Sequence, residues 1–515
     1  MGLRGFWRWA ADEPARRALI LPDESEVAAG ELLAEANRLV HGLREIGLSR
    51  GDAVAMLVPN GAPAVEVLAA TLQAGWYVTP INTNLAAPEI AHILKDGGAK
   101  AFVAHEAFAA KAAAAAGEAG VPEPGRLAVG AIQGFRSYAE RKRGQPAGPP
   151  DDPAAGQFLQ YTSGTTGRPK GIRREILAYD PHTVAALQAN HLARFDLTPG
   201  GDHVHLCTSP MYHTAPLAFT WFALNFEHPV VLMEHFDAER ALHLIERHRV
   251  TWTHMVPTQF HRLLRLPDAV RARFDASSLR AVLHAAAPCP VEVKRRMLEW
   301  WGPVIYEYYG ATEGGGTLIK PREWLEHPGS VGRAWEGAEI RIYDDTGEPC
   351  PPGKPGSVYL KLLQDFQYKG DERKTREGRR GDFFTVGDVG YLDAQGYLYL
   401  CDRKIDMIIS GGVNIYPAEV EAALFSHPAV ADCAVFGVPD DDWGEQVKAA
   451  VEPGAGTAPG PELERQLIEF CRERLGHYKC PRSVDFHAAL PRDPNGKLYK
   501  RKLRDPYWAG RDRAI

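Results

Sequence analysis

Seven cysteines are scattered through 515 residues, at Cys207, Cys289, Cys350, Cys401, Cys433, Cys471 and Cys480, and no two are spaced Cys-x-x-Cys. An odd number without that spacing gives neither a disulfide framework nor a cysteine zinc site, so a reducing, cytoplasmic compartment is the expectation. An excess of one charge is also lacking: 59 basic against 65 acidic side chains leave a formal charge of −6. There is no basic field to attract nucleic acid. Uninterrupted apolar runs of the ~18 residues a membrane helix needs are absent. The start Met1-Gly2-Leu3-Arg4-Gly5-Phe6 has neither a signal-peptide core nor the hydroxyl residue of a myristoylation site. A soluble protein with no transmembrane segment is expected.

What the chain does have is length and an ordinary globular balance, with 45% apolar and 24% charged residues. That length exceeds what one hydrophobic core usually serves, so two or more domains are expected. Leu32, Leu33, Ala36, Leu39, Val40, Leu43 and Ile46 recur at helical spacing, and the short apolar run 53–58 then predicts a buried strand. A helix over 64–73, with Pro63 at its first turn, and a strand over 76–80 continue a β/α alternation of the kind parallel sheets require. The Gly/Pro-rich stretch 144–150 predicts a structureless connection into a strand near Phe158. Strands are expected over 341–343, 356–362 and 391–400, as a β-rich subdomain. Beyond a boundary near Asp402, a helix over 417–425, a strand over 431–438, a loop over 453–461 and a helix over 462–475 predict a small α/β domain.

One run stands out for chemistry: Tyr161-Thr162-Ser163-Gly164-Thr165-Thr166-Gly167-Arg168-Pro169-Lys170-Gly171. Glycines let backbone amides turn toward phosphate oxygens, hydroxyls add donors, and Arg168 and Lys170 add positive charge. It is not a Walker A loop, because Pro169 stands where that motif needs glycine and Gly171 where it needs Ser or Thr. On its own, such a run also fits an ordinary surface loop.

Four more motifs follow in order: Tyr306-Glu307-Tyr308-Tyr309-Gly310-Ala311-Thr312-Glu313, Thr385-Val386-Gly387-Asp388, Asp402-Arg403-Lys404-Ile405-Asp406 and Pro494-Asn495-Gly496-Lys497. Together with the loop, they make the chain resemble the adenylate-forming superfamily that includes acyl-CoA synthetases, over nearly its whole length. The resemblance implies an α/β fold: a large N-terminal adenylation domain, 1–402, with β/α layers and a β-rich subdomain, and a small mobile C-terminal α+β domain, 403–515. It also implies a reaction. A carboxylate attacks the α-phosphate of ATP to give acyl-AMP and pyrophosphate, and a thiol, usually coenzyme A, then displaces AMP.

The resemblance further implies roles. Lys497 matches the catalytic lysine of adenylation, where an ammonium meeting charge that develops only in the transition state lowers the barrier by roughly a few kcal/mol. Glu313 matches the Mg²⁺ ligand, with Thr166 beside it, and Thr312 offers a hydroxyl to the α-phosphate. The phosphates fall to Thr162, Ser163, Gly164, Thr165, Thr166, Gly167 and Lys170. Tyr309 stacks on adenine, flanked by Tyr308 and Gly310, and Glu307 lies where a polar side chain can meet the adenine amino group. Tyr308 and Tyr309 also fit as strand core residues. Asp388 accepts from the ribose hydroxyls and Arg403 serves the same nucleotide.

Ile405 sits at the hinge position, where related enzymes often carry Asp or Lys. A rotation needs no particular charge, so domain alternation is still expected. Ser410, Gly411, Gly412 and Trp443 match the pantetheine tunnel, though a Gly-Gly turn after a strand explains the glycines equally. His213 marks the acyl pocket, with Trp221, Ala285 and Gly310. The segment His284-Ala285-Ala286-Ala287-Pro288 has alanines where the family is commonly glycine-rich, and Ala286, Ala287 and Pro288 are expected to wall both acyl group and adenine. No aspartate stands ready for a substrate amino group, which favours an ordinary apolar acid.

The expected activity is an ATP- and Mg²⁺-dependent carboxylic acid:CoA ligase on a fatty or aromatic/alicyclic acid. Its partners are that acid, ATP and coenzyme A, with no nucleic acid; a homodimer is compatible with the sequence. The rivals are an acyl-AMP ligase that loads a carrier protein and a nucleotide-binding regulator without turnover. The presence of Lys497, Glu313 and Asp388 argues against the regulator.

Overall fold

The computed structural model describes residues 4–162, 170–176, 179–311, 314–361, 367–368, 372–492 and 498–510. The chain divides into two compact units, one of residues 1–255, 266–283 and 364–377, the other of 256–265, 284–363 and 378–515.

The first unit is built on parallel sheets. One runs in the order Arg136–Ser137, Arg126–Val129, Ala99–His105, Ala53–Leu57, Tyr77–Pro80, Gln157–Phe158, every pair parallel. Ala53–Leu57 is buried at every position, as a central strand covered by helices on both faces must be. The helix Ala62–Gln73, with Pro63 in its first turn, is buried from Ala64 to Gln73, so it carries apolar side chains all round. Its one carboxylate, Glu66, is met by the Lys142 ammonium and the Tyr138 hydroxyl, each at 2.6 Å. The second sheet runs Trp252–Met255, His205–Cys207, Val230–Leu232, Arg17–Ile20 in parallel, with Glu26–Ala28 antiparallel at its edge. Each fully covered Val, Leu, Phe or Met of these layers contributes about 1.5–3 kcal/mol.

The second unit is mainly antiparallel. Ile305–Ala311, Gly314–Ile319 and Arg333–Ala334 form one ladder. Another joins Ile340–Tyr343, Gly356–Lys361, Phe383–Phe384, Asp388–Leu392 and Leu398–Arg403. The C-terminal core packs helices Pro417–Phe425 and Pro461–Arg472 on the long hairpin Val430–Asp440 and Gly444–Pro453, with Ser483–Phe486 added in parallel.

The predicted helices and strands recur with their ends moved by a few residues, apart from one stretch. The strand expected over 391–400 is two strands, because Asp393 accepts from the Gln395 and Tyr397 amides at 2.9 Å and Gly396 takes a left-handed φ of 83°, closing a tight turn. The C-terminal helix ends at Arg472 rather than Leu475. No helix of the described residues is long and apolar enough to cross a membrane.

Candidate active site

In the second unit the strand Ile305–Ala311 presents Tyr309 to the hairpin Asp388–Leu392/Leu398–Arg403. The Tyr309 hydroxyl donates to Asp388 Oδ2 at 2.6 Å. Arg403 pairs with Asp388 across the ladder, and its Nε lies 3.4 Å from Asp388 Oδ1. Two residues named separately from sequence, Tyr309 and Arg403, thus converge on the carboxylate of a third, Asp388. An ionised carboxylate offers about four acceptor positions, so Asp388 keeps capacity for two further hydroxyls after serving Tyr309 and Arg403. The close approach depends on glycine: a Cβ at Gly316, opposite Gly310, would stand 2.3 Å from the Trp335 ring and 2.4 Å from the Tyr309 carbonyl. Gly310 itself is exposed at the bulge in this ladder.

Glu307, two residues before Tyr309, is held differently. Its carboxylate is buried, 2.7 Å from Lys294 Nζ and 3.4 Å from His284 Nε2, and Lys294 in turn lies 4.7 Å from the Trp324 ring centroid. Burial alone would raise the Glu307 pKa; Lys294 and His284 outweigh it and bring it down to about 2. Lys294 and His284 were not anticipated. The available signal was position, since Lys294 stands on the apolar face of the helix Val291–Trp301 with Met297 and Leu298. Tyr308 is half-buried, and burial raises its phenol.

After the strand Ala281–His284, Ala285 is buried, Ala286 and Pro288 are exposed and Ala287 is half-buried. Ala286 has φ 75°, in the left-handed region. Burial pushes the nearby Cys289 thiol up, so it is held protonated rather than as a nucleophile.

Further along this unit, Ile405 lies in a single turn, Lys404–Asp406, is 39% exposed, and its carbonyl accepts from Arg504 Nη1 at 3.4 Å. Gly411 and Trp443 are brought together: Gly411 N–H donates to the Trp443 carbonyl at 2.8 Å, and a Cβ on Gly411 would stand 2.5 Å from the Trp443 ring. Gly411 and Gly412 both have positive φ, 58° and 77°, while Ser410 pairs with Gly444. Trp443 is half exposed, with the Arg482 guanidinium 5.4 Å from its ring centroid.

In the first unit, the stem of the Ser/Thr/Gly loop is an antiparallel pair, Gln160–Thr162 with Lys170–Arg173, in which Thr162 faces Lys170. The Tyr161 hydroxyl donates to Asp96 Oδ2 at 2.5 Å, and its ring lies over Gly171, where a Cβ would approach to 3.0 Å. Burial, reinforced by Asp96, raises the phenol, so Tyr161 remains a donor. Tyr77 adds a second anchor, donating to the Arg174 carbonyl at 2.8 Å beneath the Arg173 guanidinium. His213 precedes the helix Thr214–Asn225 and is half-buried beside Tyr212. Asn60 fixes the preceding loop, accepting from Met211 N–H at 2.8 Å and donating to the carbonyls of Ser209 and Met233.

Trp221 is 1% exposed and packs on Trp7 and Phe6, so it belongs to the aromatic core of this unit. Another face of its helix carries Phe219, stacked on His254 at 5.1 Å, and Phe222, beside His191. Phe219, His191 and His254 were not anticipated from sequence. Burial, then Arg194, lowers His191 to about 4, so it is neutral near pH 7.

Ser163, Gly164, Thr165, Thr166, Gly167, Thr312, Glu313 and Lys497 lie outside the described residues, as does the Thr162 side chain. Among the described residues no cluster of His, Cys, Asp and Glu has the makings of a metal site.

Residues 6–364 match the family model of the AMP-binding enzymes, and residues 419–497 match that of the AMP-binding enzyme C-terminal domain. A feruloyl-CoA synthase of Amycolatopsis is 36% identical over 97% of this chain and 99% of its own. The long-chain-fatty-acid–CoA ligase FadD13 of Mycobacterium tuberculosis is 33% identical over 97% of each chain. Among solved structures, the anthranilate CoA ligase AuaEII in complex with anthranoyl-AMP superposes with a TM-score of 0.86 at 28% identity, covering 99% of this chain and 98% of that one. With both family models matched and the relatives spanning nearly its full length, the chain belongs to the AMP-binding enzyme family, as an AMP-forming acid–thiol ligase.

Proposed function

We propose that the protein is an ATP-dependent carboxylic acid:CoA ligase acting on an apolar aromatic or fatty acid in the cytoplasm. The observation that carries this reading is the convergence of Tyr309 and Arg403 on Asp388, a carboxylate with spare acceptor capacity beside an exposed glycine strand end, as a ribose and adenine require. The likeness to a feruloyl-CoA synthase and to an anthranilate CoA ligase supports an aromatic acid among the apolar candidates.

Residues 1–402 form the adenylation domain and 403–515 the domain that swings about Ile405. The hydroxyls and amides of 162–167 with Lys170 hold the triphosphate, Thr312 meets the α-phosphate, and Glu313 with Thr166 holds Mg²⁺, which when bound neutralises phosphate charge. In the first half-reaction a carboxylate oxygen bonds to the α-phosphorus and pyrophosphate leaves, while the Lys497 ammonium stabilises charge gathering on both reactants. His213, Ala285 and the alanine wall 286–288 bound the acyl group. In the second half-reaction the thiol sulfur bonds to the acyl carbonyl carbon and AMP leaves. Near neutral pH only a few per cent of a thiol with pKa about 8.5 is ionised, so alignment along Ser410–Gly412 and Trp443 supplies much of the rate.

Pyrophosphate and AMP release across a panel of cinnamic, benzoic and fatty acids, with and without coenzyme A, tests the reading. AMP release that needs coenzyme A and yields an acyl-CoA by mass spectrometry is the expected result. Acyl-AMP accumulating whether or not coenzyme A is present would replace it with carrier-protein loading.

A further inference from the structure

Two asparagines of the first unit reach from its first sheet to the loop that carries His213. Asn60 follows the strand Ala53–Leu57 and is 6% exposed. Its Oδ1 accepts from Met211 N–H at 2.8 Å, and its Nδ2 donates to the Ser209 carbonyl at 3.0 Å and the Met233 carbonyl at 2.8 Å. Asn84 follows the neighbouring strand Tyr77–Pro80, and its Nδ2 donates to the Tyr212 hydroxyl at 3.1 Å. Ser209 and Met233 in turn follow His205–Cys207 and Val230–Leu232, adjacent parallel strands of the second sheet. Segments leaving the carboxyl ends of four parallel strands, two from each sheet, are thus bonded to one another. The crevice outside such ends is where open α/β sheets take their ligands. From these bonds to His213 is a single turn: His213 N–H donates to the Pro210 carbonyl at 3.2 Å, and the Tyr212 and His213 rings lie 4.5 Å apart, centroid to centroid.

We propose that Asn60 and Asn84 are positioning residues for the acid substrate, acting through Met211 and Tyr212 to hold His213 against the acyl group. The proposal rests on the reading of His213 as a wall of the acyl pocket. Asn60 gives both donors of its amide to backbone carbonyls and accepts from a backbone N–H, so it grips main chain and not mobile side chains. A side chain that only filled this space would give up all three bonds. Buried polar networks of this kind select one arrangement of the segments they join. Asn84 holds the same turn from a second side, through the tyrosine next to His213. A misplacement of about 1 Å in a group that orients substrate costs roughly 100-fold in rate, so a loop pinned at two points suits a pocket wall. The nucleotide falls to Tyr309, Asp388 and Arg403, so an effect passed through His213 falls on the acid.

Acid-dependent pyrophosphate release, with the acid that the wild-type chain uses fastest, tests it. Asn60→Ala should raise the apparent KM for the acid about 10- to 100-fold and leave that for ATP within about twofold. Its order of preference among cinnamic, benzoic and fatty acids should also change, which a mere loss of folded protein would not produce. Asn84→Ala and Tyr212→Phe remove one bond from its two ends, so each should raise the acid KM about two- to fivefold and the double variant no further. If Asn60→Ala fails to fold, this pair carries the test. Equal rises in the KM for acid and ATP, or a fall in kcat with acid KM and preference unchanged, overturns the proposal. His213→Ala separates the two readings: an unaltered acid KM and preference there removes His213 from the acyl pocket, whereas both altered there and unaltered in the asparagine variants removes only the positioning role.

Discussion

Glu307 and Asp388 are the two carboxylates that the sequence offers to adenine and ribose, and one unit holds them in opposite ways. Glu307 is buried against a buried lysine and a buried imidazole. Asp388, at 9% exposure hardly less covered, opens its strand at the end of the hairpin and holds only a neutral tyrosine hydroxyl and an arginine that is half exposed. A carboxylate whose charge is already matched inside the core has little left to give a ligand, and removing it leaves an ammonium stranded. A carboxylate whose partners are a neutral hydroxyl and a half-exposed guanidinium strands no buried charge when it is removed, and it keeps acceptor positions for a ligand. Stability and nucleotide affinity should therefore respond to the two residues in inverse order.

The largest effect is expected at Glu307. Glu307→Ala leaves Lys294 buried without its counter-ion and should cost about 3–5 kcal/mol in denaturant unfolding, whereas Lys294→Met with Glu307→Leu together should cost much less. A loss under about 1 kcal/mol in the single variant would erase the contrast between the carboxylates. Asp388→Ala should do the reverse. It should raise the apparent KM for ATP about 10- to 100-fold, the ~1.4–2.7 kcal/mol expected for hydrogen bonds to a charged acceptor, and move the unfolding free energy by less than about 1 kcal/mol. Unchanged ATP dependence would remove Asp388 from the nucleotide.

That contrast was only half legible beforehand. The motif around Asp388 announced its residues, but the tight turn at Asp393–Gly396 fixes the register only as far as Gly390 opposite Leu400, and a bulge between Val389 and Gly390 then brings Arg403, rather than Asp402, opposite Asp388. The same motif style also announced Glu307, but nothing local reveals that a lysine thirteen positions earlier turns inward beneath Trp324. Trp221 shows the same limit. Its helix is apolar nearly all round, so periodicity could not tell which rings face Trp7 and which face His254. Layers and strands were readable from burial patterns; the pairing of side chains from distant segments was not.

Acid titration sharpens the comparison by adding the first unit. His228 there accepts from Trp252 Nε1 at 3.2 Å, and burial, with His203 and Arg16 adding to it against the Thr198 and Gly200 backbone, brings its pKa down to about 3. A depressed imidazole contributes stability above its ordinary pKa of 6.5, and that contribution is lost as pH falls toward the folded value. Glu307 follows the same sign in a lower window, from 4.5 down to about 2. Going from pH 7 to about 5.5 should therefore cost about 1 kcal/mol through His228 and nothing through Glu307. Denaturant unfolding of wild type and His228→Gln at both pH values checks it; equal slopes would show that His228 is not held neutral.

Ala286 offers the smallest change and the most local one. At φ 75° its Cβ crowds the following carbonyl, at roughly 1–2 kcal/mol, a strain glycine would not have. Glycine would also enlarge the unfolded ensemble, at about 0.5–1 kcal/mol, so Ala286→Gly should stabilise the protein by only about 0.5–1 kcal/mol. The same change removes a methyl from the wall proposed to bound the acyl group. If Ala286 lines that wall, the variant should accept bulkier acids in the substrate panel while its melting temperature rises slightly. A rise in melting temperature with an unaltered acid profile would mean that the alanine is strained for reasons unrelated to the substrate, and that the wall lies elsewhere.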